Sequence, residues 1–137
     1  MTTTPDLAER LQRLADAINA RDFDVAVSFY TPDAVFQPRT GVVGALRGRG
    51  AIRGFFEEWF GAYEEFEAEF DEVREFGHGL TSAVLSQRGR LPGTTNWVSD
   101  RYTLVATWTD GLIERVTNYS DIDEARADAE RLAQERG

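Results

Sequence analysis

The sequence predicts an α+β fold in which a curved antiparallel sheet wraps around N-terminal helices to make a cone. Apolar residues repeat with a helical period up to Tyr63, and at Phe66 the period changes to two. From there strand-like runs follow one another through short turns as far as Ser120. Helices gathered ahead of a meander indicate α+β rather than a parallel α/β sheet. The sheet has to curl over the first and third helices to cover both apolar stripes, and that curling encloses an interior pocket.

Leu7, Leu11, Leu14, Ala15 and Ile18 form one stripe of an amphipathic helix over residues 5–20. Asp22 is placed to cap a second, short helix carrying Val25, Ala26, Phe29 and Tyr30. Thr31-Pro32-Asp33 ends that helix, because the residue before proline disfavours the α conformation. Ala34–Gln37 then reads as a short strand stopped at Pro38. Residues 39–50 form the one glycine-dense loop. The spacing of Gly48, Gly50 and Gly54 departs from a dinucleotide-binding fingerprint and lies outside any βαβ pattern, so it reads as a loop leading into a helix. That third helix is the clearest on the chain, with Ile52, Phe55, Phe56, Trp59, Phe60 and Tyr63 on one aromatic stripe suited to core or pocket wall.

The strand Phe66–Phe76 carries Glu67, Glu69, Asp71, Glu72 and Glu75, a solvated outer face. Gly77-His78-Gly79 is a turn, which makes His78 a loop residue. Leu80–Leu91 and Trp97–Thr109 are strands joined by the loop Pro92–Asn96. Asp110-Gly111 is a two-residue hairpin signal leading into the strand Leu112–Ser120. Asp121 and Glu124 offer a capping box for a last helix rich in Ala, Arg and acids. Residues 1–137 are expected to form one domain, frayed at 1–5 and 133–137.

Composition excludes several chemistries. The absence of cysteine removes disulfides, thiolate nucleophiles, iron–sulfur clusters and cysteine-ligated zinc. All 15 basic residues are arginine, so Schiff-base chemistry is removed too. His78 is the only histidine, and one chain cannot build a multi-histidine metal site. No metal and no cofactor is therefore expected, and acid–base work would rest on Asp, Glu, Tyr or His78. A net charge of −9 and a pI of about 4.6 disfavour nucleic acid and anionic membrane as partners. The start lacks the basic and apolar regions of a signal peptide, and no apolar run approaches the ~20 residues of a membrane span. A soluble cytoplasmic protein is expected.

The run Asn19-Ala20-Arg21-Asp22-Phe23-Asp24, then Phe29-Tyr30-Thr31-Pro32-Asp33-Ala34-Val35-Phe36, resembles the opening of the nuclear transport factor 2-like superfamily. Gly50-Ala51-Ile52-Arg53-Gly54-Phe55-Phe56 is similar to its third-helix entry. Trp108-Thr109-Asp110-Gly111-Leu112-Ile113, with Asn118-Tyr119-Ser120-Asp121, resembles its ending. These motifs span nearly the whole chain in the right order and follow the SnoaL-like branch most closely. The resemblance implies a cone-shaped α+β barrel, usually dimeric, with a cavity for a small hydrophobic molecule. It implies no single function, since the fold hosts isomerases, dehydratases, epoxide hydrolases, cyclases and non-catalytic proteins. Known catalytic residues do not carry over. The ketosteroid isomerase base falls at Gln37, which cannot act as a base, and the tyrosine that stabilises the enolate falls at Leu14. The last-strand Asp of limonene-epoxide-hydrolase-type enzymes falls at Asn118. Their third-strand Arg and Asp meet Arg88-Gly89-Arg90, which has no acid.

Alternation sorts each strand into two faces. Ser82, Val84, Ser86, Arg88 and Arg90 oppose Ala83, Leu85 and Gln87. Asp100, Tyr102, Leu104, Ala106 and Trp108 oppose Arg101, Thr103, Val105, Thr107 and Thr109. Val116, Asn118 and Ser120 oppose Arg115, Thr117 and Tyr119. The register of the resembled family turns the first set of each strand inward. It places Ser86, Arg88, Asp100, Tyr102 and Asn118 among Leu14, Ile18, Phe36, Phe55, Trp59, Val84, Leu104, Trp108 and Val116. A slip by one residue would exchange the faces.

Two functions fit this pocket. One is a binder of a small hydrophobic polyketide-, terpene- or steroid-like molecule, with Tyr102 and Asn118 as hydrogen-bonding groups. The other is a cofactor-independent isomerase, cyclase or hydrolase with Asp100 as general acid/base, paired with Arg88, and Tyr102 or Arg88 stabilising an oxyanion. The outward set Ala83, Leu85, Gln87, Thr103, Val105, Thr107, Thr117 and Tyr119 is low in charge, unlike a face left in water. The last helix has only Ile122 and Leu132 as sizeable apolar contacts, so a second copy is expected to cover this face in a homodimer.

Overall fold

The computed structural model describes residues 6–38 and 44–136. In chain order the elements are α1 (Leu7–Asn19), α2 (Phe23–Val27), β1 (Tyr30–Gln37), β2 (Leu46–Arg47), α3 (Arg49–Gly61), β3 (Glu65–Gly77), β4 (Leu80–Arg90), β5 (Trp97–Thr109), β6 (Leu112–Tyr119) and α4 (Ile122–Arg136). The expectations for residues 1–5, the first part of the 39–50 loop and Gly137 lie outside the described residues. Residues 133–136 are helical.

Local chemistry starts the helices where the sequence reading put them. Asp6, Asp22 and Asp121 each accept a backbone N–H from the first turn that follows, from Glu9, Val25 and Asp123 respectively. The second helix is shorter than expected, ending at Val27. The Phe29 carbonyl accepts Ile113 N–H at 2.8 Å, which draws the chain into the sheet and makes Tyr30 the first residue of β1. Pro32 is tolerated inside that strand because the β1–β6 register is broken between Tyr30 and Val35, where no ladder N–H is needed. The Tyr30 carbonyl is held instead by the Arg49 guanidinium, through Nε at 2.9 Å and Nη2 at 2.7 Å.

The strands form one curved, open sheet in the order β2-β1-β6-β5-β4-β3. Its pairings are antiparallel except β1–β6, which is parallel, so the sheet is mixed where the sequence reading had it antiparallel throughout. The hairpins form at the expected turns, with His78 and Gly79, and Asp110 and Gly111, all at positive φ as type I′ turns require. Gly79 is also required sterically, since a Cβ there would lie 2.6 Å from the Trp108 carbonyl oxygen. In β3 the register shifts between Asp71 and Arg74, and Glu72 takes a φ of 47°. This bulge bends the strand, as an inserted residue does.

The main core lies between the concave sheet face and the helices, and includes Leu11, Leu14, Ile18, Phe56, Phe60, Phe70, Leu85 and Trp108. The polar flank of α1 lies along β3, whose outer edge has no strand partner. The Asn19 amide donates to the Ala68 carbonyl at 2.9 Å and accepts its N–H at 2.7 Å, and Gln12 donates to the Phe70 carbonyl. An open strand edge is thereby covered by side chains.

The convex face departs from expectation. There α4 packs across the sheet, and a second core forms from Leu80, Val105, Ala125 and Ala129, with Phe76, Tyr119 and Leu132 against it. The sequence reading counted only large apolar residues on this helix. Ala125 and Ala129, four apart, give it a flat stripe that approaches the strands closely. A segment of the chain itself therefore covers Val105 and Tyr119. Among the described residues no helix is long and apolar enough to cross a membrane.

Candidate functional site

A cavity of about 550 Å³ opens between α1, α3 and the concave face. That is within the roughly 300–1,000 Å³ of small-molecule sites. Leu14 and Ile18 of α1, Phe36 of β1, Phe55 and Trp59 of α3, Phe70 of β3, Leu85 of β4 and Leu104 of β5 make its apolar wall. The aromatic part is ordered by ring contacts. Phe55 stacks on Trp59 at 5.9 Å with planes 13° apart, and Phe36 meets Phe55 at 5.3 Å.

The polar groups are few. Asn118, on β6 opposite Leu104, is 8% exposed, and its Oδ1 is fully buried with no hydrogen-bond partner among the described residues. Tyr102 lies opposite Leu85 and donates its hydroxyl to Gln87 Oε1 at 3.2 Å. Tyr30 also lines the cavity. Burial, and then the neighbouring Tyr102, push its pKa up, so its phenol keeps its proton at any physiological pH. Among the described residues Glu58, exposed on α3, is the only charged side chain lining the cavity.

Leu14, Ile18, Phe36, Phe55, Trp59, Tyr102, Leu104 and Asn118 thus stand on the wall that the sequence reading assigned them. Trp108 and Val116 share the core side but are packed away from the cavity. Trp108 Nε1 donates to Thr81 Oγ1 at 2.9 Å, and Val116 is 1% exposed.

Val84, Ser86 and Arg88 require a correction. The register pairs Leu85 with Tyr102 and Gln87 with Asp100, so the other set of β4 faces the cavity and these residues lie on the convex face. Ser86 Oγ donates to Asp71 there, and Arg88 pairs with Glu67 at 3.0 Å while stacking over Trp97. Arg88 lies opposite Ser99 and Asp100 opposite Gln87, so the two are not direct cross-strand partners, although both border one wide polar groove. The cause is the acidic face of β3. Glu65 and Glu67 lie directly opposite Arg90 and Arg88, and the arginines follow them outward. Asp100 is not on the apolar wall. It borders a separate, wider polar groove with Gln12, Asp16 and Asn19.

Tyr30, Glu58, Phe70 and Leu85 line the cavity and were missed. For Leu85 the turn at His78-Gly79 gave no dependable signal, because the β3–β4 register shifts twice, between Gly77 and Glu75 and between Arg74 and Asp71, before it reaches Glu67 and Arg88. Tyr30 was hidden by its apparent place in a helix, and Glu58 by its exposure.

The model of the SnoaL-like domain family matches residues 11–116. Among curated proteins none matches at a significant level. Several solved structures share the fold at low identity. An epoxide hydrolase/cyclase-like protein, SalBIII, with a role in pyran ring formation in the polyether salinomycin, superposes with a TM-score of 0.72 at 20% identity, covering 85% of this chain and 92% of its own. Rv0760c from Mycobacterium tuberculosis, in complex with estradiol-17β-hemisuccinate, gives 0.72 at 16% identity over 88% and 97%. Bal32a, from a soil-derived mobile gene cassette, gives 0.70 at 19% identity over 82% and 87%.

Proposed function

This chain belongs to the SnoaL-like domain family, and we propose that it binds a small hydrophobic molecule, of polyketide-, terpene- or steroid-like shape, in the cavity between α1, α3 and the sheet. The observation that carries this reading is the lining of the cavity, an apolar and aromatic wall with few polar groups, among them Tyr30, Tyr102 and Asn118. Two structural neighbours lend support, one tied to a cyclisation and one holding a steroid ester. Binding is favoured over turnover because, apart from Glu58 at the exposed edge, no carboxylate or imidazole among the described residues lines the cavity. We propose in addition that two copies associate through the part of the outer face that α4 leaves open, near the exposed Trp97.

The binding test is a fluorescence titration with fused-ring hydrophobes, read through Trp59 and the other tryptophans, alongside native mass spectrometry of the purified protein. Saturable binding that Leu104→Trp abolishes by filling the cavity is the expected result. Binding that survives Leu104→Trp, or none at all, would refute the reading.

A further inference from the structure

The concave face of the sheet continues past the end of the apolar cavity. Residues on one face of a strand recur at every second position, about 7 Å apart. Phe70, Leu85 and Tyr102 lie side by side across β3, β4 and β5, and all three line the cavity. The next row on the same face is Ala68, Gln87 and Asp100, and all three line the polar groove. The change from cavity to groove therefore falls between two successive rows on three strands. On α1 it falls between Leu14, on the cavity, and Ala15, on the groove. The groove, about 1040 Å³, is wider than the cavity and also takes in Arg88 from the far face.

A side-chain contact crosses that boundary. Tyr102, in the cavity row, donates its hydroxyl to Gln87 Oε1, in the groove row, at 3.2 Å. The two form a diagonal pair on adjacent strands, a spacing that long side chains can bridge. Ala68 in the same row and Ala15 on α1 are both buried and add no more than a methyl group each. Gln87 is 7% exposed, so its side chain fills the space between the compartments and does not project into water. From this alignment we infer that Gln87 is the end wall of the apolar cavity and limits the length of ligand it accepts. A compact hydrophobe fits within the wall. A hydrophobe carrying an uncharged chain with a terminal hydroxyl reaches the groove, with Gln12, Asp16 and Asp100 to receive the hydroxyl, only when that wall is shortened. The inference rests on the binding reading above and assigns the residue that sets the length of its ligand.

Two uncharged fluorescent probes with the same ring system test it, pyrene and 1-pyrenebutanol, each titrated into the intact protein. The quantity read is the ratio of their affinities. In Gln87→Ala this ratio should move about tenfold toward 1-pyrenebutanol, the gain expected from burying two further methylenes, while the affinity for pyrene stays as in the wild type. Gln87→Ser shortens the same side chain and should give the same shift, so the test does not depend on one variant. Gln87→Leu keeps the bulk of the wall and should keep the wild-type ratio. A thermal melt of each variant checks that it is folded. A ratio that stays unchanged when Gln87 is shortened, or that moves as far in Gln87→Leu as in Gln87→Ala, would overturn this inference while leaving the binding reading intact. Failure of both probes to bind the wild type, or binding that survives Leu104→Trp, would overturn both.

Discussion

At the residue scale, Asn118 carries a cost in stability. Alternation along β6 turns it to the same side as Val116, into a setting where an aliphatic side chain would pack without penalty. Its amide oxygen is buried and unpaired, so the chain without ligand carries a desolvation cost that packing does not repay. Asn118→Leu should therefore stabilise the unliganded protein by about 1 kcal/mol, raising the thermal midpoint by roughly 4 °C. A calorimetric melt showing a lower midpoint would mean that the amide is satisfied in solution. Alternation grouped Asn118 with Val116, and the register of the resembled family turned that set inward, but its lack of a partner was not legible. Whether a polar atom is paired depends on what the neighbouring strands bring to it.

At the element scale, β4 and α4 each show a signal that was present in the sequence yet outweighed. Both faces of β4 carry apolar residues, Val84 on one and Ala83 and Leu85 on the other, so alternation alone could not choose between them. The choice came from the cross-strand acids of β3. For α4, docking depends on Tyr119, whose hydroxyl donates to Asp128, and on Arg131, which pairs with the same carboxylate. Burial pushes the Asp128 pKa up, but the hydrogen bonds from Tyr119 and Arg131 and the arginine charge outweigh it and leave the net shift downward. A carboxyl whose folded pKa is depressed contributes stability above its unfolded pKa, about 3.9, and loses it as pH falls through the lower folded value. Below about pH 4, amide protection of residues 122–136 should drop before that of β4 and β5, and Asp128→Asn should remove this pH dependence. Hydrogen exchange between pH 5 and pH 3 checks it, and uniform loss of protection across the chain would show that α4 docking does not rely on Asp128.

At the scale of the whole molecule, α4 changes what a second copy could use. Val105 and Tyr119, expected at a dimer interface, are packed under α4 within the chain. The open part of the convex face runs toward the tip of the β4–β5 hairpin, where Trp97 is 41% and Leu91 43% exposed. If two copies meet there, sedimentation equilibrium at micromolar concentration should give about twice the 15.4 kDa chain mass. Added salt should strengthen the association by screening the repulsion between two chains of charge −9, and Trp97→Glu should reverse it. A mass of 15.4 kDa at every concentration and salt would exclude the dimer.

Composition, periodicity and turn chemistry determined the α+β class, the order of elements apart from β2, the hairpins at His78-Gly79 and Asp110-Gly111, and the aromatic helix that walls the cavity. These are local properties, set by backbone preferences and by which residues recur at a helical or strand period. Tertiary structure decided the parallel pairing of β1 with β6, the face that β4 turns inward, the cover that α4 provides and the isolation of Asn118 Oδ1. Each of these is a contact between segments distant in sequence, fixed by competition among neighbours for the same hydrogen bonds, charges and apolar area.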